Sequence, residues 1–131
     1  MSNRSAGLVV DFYATRFNAT HAPAAGTTCT ASVSAVNPSA KVNLATIGFS
    51  VRNHLAASTT FTLSVRDASI AGTVLASWDW FLAAGTSATD TWNDCKIQGL
   101  RGNAIVAEFG APNASVVQKV TIAGWHDALN Q

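Results

Sequence analysis

Apolar and polar residues alternate in short runs along most of this chain. Phe61, Leu63 and Val65 alternate with Thr60, Thr62, Ser64 and Arg66. Cys29, Ala31, Val33 and Ala35 alternate with Thr28, Thr30, Ser32 and Ser34. Successive side chains of a strand point to opposite faces, so a period of two predicts strands with one buried face. Read this way, the sequence predicts strands over residues 8–17, 28–36, 42–52, 59–66, 73–83 and 115–125. A short edge strand is expected over 86–92, and two more strands over 96–100 and 104–109. Between those two, Arg101-Gly102-Asn103 reads as a tight hairpin connection.

Punctuation supports these limits. Residues 18–27 are rich in Ala, Pro and Gly and read as a loop; Asn37-Pro38 marks a turn. Gly48, inside a strand, signals a bulge. Residues 73–83 become apolar on both faces near their end, which suggests a strand covered by a neighbour on its second side. Residues 126–131 read as a short polar tail. About eight strands and no long helical period predict an all-β domain. The expected architecture is a β-sandwich, jelly-roll or immunoglobulin-like, over residues 7–131, preceded by a polar arm over 1–6.

Composition narrows the function classes. At 131 residues the chain suits one domain. Charged residues make up 11% of it, against about 25% in typical soluble domains. The formal net charge is +1, and the cations are scattered singly, so nucleic acid is not the expected partner. A charge-poor surface protects weakly against self-association, which points to a subunit covered by its neighbours in an assembly. No apolar run approaches the length of a membrane span, and no secretory leader pattern is visible. Synthesis in the cytosol is therefore expected, with Cys29 and Cys95 as free, buried, small apolar residues.

Candidate chemistry is sparse. The sequence holds no G-x-S-x-G elbow and no phosphate-binding glycine loop. His21, His54 and His126 stand apart, with no nucleophile and base recognisably paired. Asp90, Asn93 and Asp94 could offer oxygens to calcium, but read better as an Asx-rich turn. His126-Asp127 reads as a solvated terminus. No catalytic residue, cofactor, metal or small-molecule substrate is expected. Trp78 and Trp80 share a face with Val74 and Leu82 and are read as core. Trp92 and Trp125 lie at strand ends, where core packing, an interface anchor and a sugar-stacking platform all stay open.

The polar start running into LVVDFYATRF resembles the small β-sandwich virion proteins of tailed bacteriophages, in particular capsid decoration or cement proteins. The Ser/Thr/Ala-rich stretch TLSVRDASIAGTVLASW and the final VVQKVTIAGWHD share that likeness. The resemblance implies a non-enzymatic subunit on the capsid surface, bound to the major capsid protein and to copies of itself as a dimer or trimer. It implies contacts through the arm and long loop, which nominates Ser2, Asn3, Arg4, Ser5, Asn18, His21 and Pro23, with Trp92 and Trp125 as anchors. The alternative is a carbohydrate-binding or adhesive module of a phage head or tail fibre.

Overall fold

Where the alternation is cleanest, the strands fall where the pattern puts them. The computed structural model describes residues 16–110 and 114–127. Its strands are β1 (Arg16–His21), β2 (Thr30–Val33), β3 (Lys41–Asn53), β4 (Thr59–Asp67), β5 (Val74–Leu82), β6 (Ser87–Gln98), β7 (Ile105–Phe109) and β8 (Val116–Asp127). They form two four-stranded sheets, in the orders β1-β8-β3-β6 and β2-β7-β4-β5.

That order settles the topology. β4 pairs with β5, β3 with β6, β2 with β7 and β1 with β8, all antiparallel. The pairs are nested about the β4–β5 turn, as though one long hairpin had been rolled into two layers. This is a jelly-roll sandwich rather than an immunoglobulin-like one. Each inward face is apolar. Leu44, Ile47 and Ile122 from one sheet join Leu63, Ile105 and Phe109 from the other in a single buried cluster.

Rolling the hairpin gathers the loops at two ends, and each end is clamped by one buried polar side chain. Asn53 donates to the carbonyls of Ala57 and Ala83, and its Oδ1 accepts from the Leu55 amide. It thereby ties the β3–β4 turn to the β5–β6 crossing. At the opposite end Asp67 accepts from the Leu100 amide at 3.2 Å and from the Asn103 side chain at 3.0 Å. Both clamps satisfy polar groups that would otherwise be buried without partners.

Several expectations are corrected. Asn18–His21 are strand, not loop, because Asn18 pairs with Ala123 and His21 with Val120. The small-residue bias of the following segment hid that edge. Residues 8–15 and the 1–6 arm lie outside the described residues. Gly48 is no bulge; it sits in register with Thr91 and Thr121. The irregularity lies between Leu44 and Thr46: Ala45 is the extra residue against β8, whereas β6 sets Asp94, Cys95 and Lys96 against it. β6 does not stop at Trp92 but runs to Gln98, passing that bulge with Asp94 and Lys96 at positive φ (60° and 54°). The Asx cluster is thus strand rather than turn. Arg101-Gly102-Asn103 joins no hairpin: β6 and β7 belong to different sheets. Nor is His126 the start of a polar tail: it is buried in β8, which runs to Asp127, and residues 128–131 lie outside the described residues. β5 is an edge strand, and Phe81 on its outer side is 71% exposed rather than covered.

Leu63 is fully buried between the sheets. Leu63→Asp is expected to cost more than about 4 kcal/mol and abolish the cooperative thermal transition. Circular dichroism checks this, and a native-like melting curve would contradict the inward placement.

Candidate functional site

Two surfaces stand out on this scaffold. The first is the outer face of the β1-β8-β3-β6 sheet. Along β8 the outward residues are Val117, Lys119, Thr121, Ala123 and Trp125, alternating with buried ones. Cross-strand register sets them in rows. Thr20, Thr121, Gly48 and Thr91 form one row; Asn18, Ala123, Thr46 and Asn93 the next. Trp125 stands beyond them between Arg16 and Asn43. Neutral hydroxyl and amide side chains dominate these rows, and many hold one another. The Thr20 and Thr121 hydroxyls lie 2.9 Å apart, and Gln98 donates to the Asn43 side-chain oxygen at 2.7 Å.

Two shallow hollows cross this face and share Thr46. One, of about 620 Å3, is bounded by Arg16, Phe17, Ala45, Ala123, Gly124 and Trp125. The bulge at Ala45 and the bare Gly124 backbone open it. A methyl group on Gly124 would run into the Asn43 carbonyl oxygen, so the close approach of β8 to β3 requires glycine there. The other hollow, of about 420 Å3, lies over Gly48, with Ser50, Thr89, Thr91, Lys119 and Thr121 around it.

The second surface is the loop end clamped by Asp67. The β2–β3, β4–β5 and β6–β7 loops meet there. The Gly102 amide donates to the Ala40 carbonyl at 2.7 Å, the Ala68 amide to the Ala104 carbonyl at 2.8 Å. Each loop exposes one large apolar side chain: Val36, Ile70 and Leu100, at 54%, 57% and 61%. Arg101 is the only charged residue within 34–40, 68–73 and 99–104, and it donates to the Ser39 carbonyl at 2.9 Å. This apolar end was not foreseen, because three loops distant in sequence come together only through the roll.

The aromatic residues divide differently from expectation. Trp78 and Trp80 lie on edge strand β5, half-buried. Trp92, on edge strand β6 of the other sheet, stacks on both, with centroids at 4.9 and 5.3 Å. Phe49 adds a fourth ring 5.6 Å from Trp92. Together they seal the open side of the sandwich, so Trp92 is a seam residue rather than a free anchor. Trp125 is exposed, as an anchor or platform must be.

Of the other nominated residues, Asn18 is exposed on the first surface. His21 is half-buried and points inward: its Nδ1 accepts from the Thr30 amide at 2.9 Å, and its carbonyl from the Cys29 thiol at 3.2 Å. That bracing of β1 against β2 occupies it. Pro23 is half-exposed in the β1–β2 loop. Ser2, Asn3, Arg4 and Ser5 lie outside the described residues.

Titratable groups offer little chemistry. Burial pushes the Cys29 thiol up to about 11. Cys95, half-buried rather than buried, is likewise raised by burial, and its thiol donates to the Leu44 carbonyl at 3.2 Å. Both sulfurs remain thiols at neutral pH and make poor nucleophiles. Among the described residues no group of three or more His, Cys, Asp or Glu side chains could hold a metal ion.

No family model and no curated protein matches the sequence. Solved structures match at the level of fold. A family 6 carbohydrate-binding module is 16% identical, with a TM-score of 0.41, covering 81% of this chain and 82% of that one. A structure of infectious bursal disease virus is 12% identical, with a TM-score of 0.44; the match covers 82% of this chain but only 31% of that one. The tobacco streak virus coat protein is 8% identical, with a TM-score of 0.34, covering 89% and 90%.

Two outcomes follow from the seam and from His126. Trp92→Ala removes the ring that joins the two edges and is expected to cost about 3 kcal/mol, read from the denaturant midpoint. His126 packs against Phe17 at 5.4 Å, and burial lowers its imidazole below the usual 6.5. The unfolded chain therefore takes up this proton first as pH falls below 6.5, and stability drops until the folded value is passed. His126→Phe is expected to flatten that acid limb, measured as the denaturant midpoint against pH.

Proposed function

We propose that this protein is a non-enzymatic structural subunit of a bacteriophage particle, a cement or decoration protein. In this reading it sits on the capsid surface and binds the major capsid protein and copies of itself. The observation that carries the reading is the apolar loop end. Val36, Ile70 and Leu100 are each more than half exposed on three loops that hydrogen bonds hold together. Exposed apolar groups gathered in this way mark surfaces that other molecules cover. Covering the three side chains contributes roughly 1 kcal/mol or more each. The loops are already braced by the Asp67 bonds and by the Gly102–Ala40 and Arg101–Ser39 bonds, so docking loses little further loop entropy.

Two further features support it. The charge-poor exterior suits a subunit that lies against protein. β1 begins and β8 ends beside the start of β3, since Arg16 pairs with Trp125 and Lys41 with Asp127. The chain before Arg16 therefore departs from the same end as the three loops.

Co-sedimentation with capsids of the phage whose genome encodes the chain tests this. Wild-type protein is expected to bind at micromolar concentration, and Leu100→Asp with Ile70→Asp to weaken binding at least about tenfold while leaving the melting temperature unchanged. Unaltered capsid binding by the double variant, or no binding by the wild type, overturns the reading.

A further inference from the structure

We infer that the outer face of the β1-β8-β3-β6 sheet binds a neutral oligosaccharide, with Trp125 as stacking platform and the Gly48 groove as the adjoining subsite. This is a second function on a second surface, independent of the loop end.

Shape comes first. The two hollows adjoin at Thr46, which lines both, and each is within the size range of ligand sites. From Lys119 to Trp125 they follow β8 for roughly 20 Å, the length of a short linear glycan. The groove is not a by-product of folding. Gly48 is not among the positive-φ glycines, and a methyl group there would meet only the Thr91 hydroxyl at 3.4 Å and the Asp90 carbonyl at 4.0 Å. Alanine would fit the same backbone at ordinary contact distances, and glycine weakens a strand interior. What glycine supplies is empty space between two threonines.

Chemistry then selects the occupant. A sugar ring presents an apolar C–H face and a rim of hydroxyls that both donate and accept. Trp125 offers an apolar plane, and Thr46, Thr91 and Thr121 offer neutral hydroxyls able to donate and accept in turn. The lining is already ordered: Thr46 donates to the Asn93 oxygen at 3.4 Å, and Thr20 pairs with Thr121. Rigid sheet and paired side chains lower the entropy lost on binding.

Other occupants fit less well. No carboxylate lies in the rows through Gly48 and Thr46, which leaves a cation without ligands. Lys119 and Arg16 stand in different hollows, too sparse for a nucleic acid backbone. A protein partner seeks large buried anchors at the centre of its contact, whereas this centre holds glycine and hydroxyls.

The test titrates the full chain with tetrasaccharides of glucose, xylose, mannose, galactose and N-acetylglucosamine, read by tryptophan fluorescence and amide chemical shifts. At least one is expected to saturate with a dissociation constant of about 10 µM to 1 mM, with shifts confined to β3, β6 and β8. Trp125→Ala and Gly48→Leu are each expected to weaken it at least about tenfold. Gly48→Ser serves as the milder block if the leucine variant does not fold. Leu100→Asp, at the loop end, is expected to leave the affinity unchanged. The inference falls if no sugar of the panel responds at about 10 mM. It also falls if the response survives Trp125→Ala.

Discussion

The contact between the two inward sheet faces, where Leu44, Ile47 and Ile122 meet Leu63, Ile105 and Phe109, fixes the position of everything else. A strand can bury one face only if its partners across the layer do the same, and slipping by one residue turns every side chain to the wrong side. That constraint holds β8 in register against both β1 and β3. The register in turn sets the hydroxyl rows and Trp125 on the outside. It also brings three loops to one end, where Asp67 joins the β4–β5 and β6–β7 loops and Arg101 and Gly102 hold the β2–β3 loop to them. Both candidate surfaces are thus consequences of a core that contains no chemistry of its own.

An open sandwich leaves its sides exposed, and here the side between β5 and β6 is closed by rings rather than by hydrogen bonds. Trp78 and Trp80 from one sheet and Trp92 from the other are in stacking contact. Edge strands are a template for unwanted pairing, and natural sheets blunt them. β6 carries the second remedy as well, an irregular stretch with Asp94 and Lys96 at positive φ.

Much of this was legible in the sequence because period two survives wherever one face is buried. β3, β4 and β8 stand close to their expected limits for that reason. Strand order was not legible, since alternation says which face is buried and nothing about which neighbour pairs. β6 was cut short because Asn93-Asp94 resembles a turn; two left-handed residues let the strand pass through it. The hairpin at Arg101-Gly102-Asn103 failed for a related reason. A glycine turn reports a change of direction, and here the chain changes sheets as well. Of the candidate sites, Trp125 could be singled out from its place at a strand end. The same argument misplaced Trp92, because its stacking partners come from the opposite sheet. The apolar end was invisible: the loops that carry Val36, Ile70 and Leu100 come to one end only after the hairpin rolls.

β1 starts and β8 finishes beside each other at the clamped end, the end whose loops carry Val36, Ile70 and Leu100. Cargo for display belongs at the far end instead. The β5–β6 crossing offers a place: Gly85 has a φ of 71°, and a Cβ built on it meets nothing within 4 Å. An insertion there points away from the termini, so a passenger domain and a docked partner could share one molecule without collision.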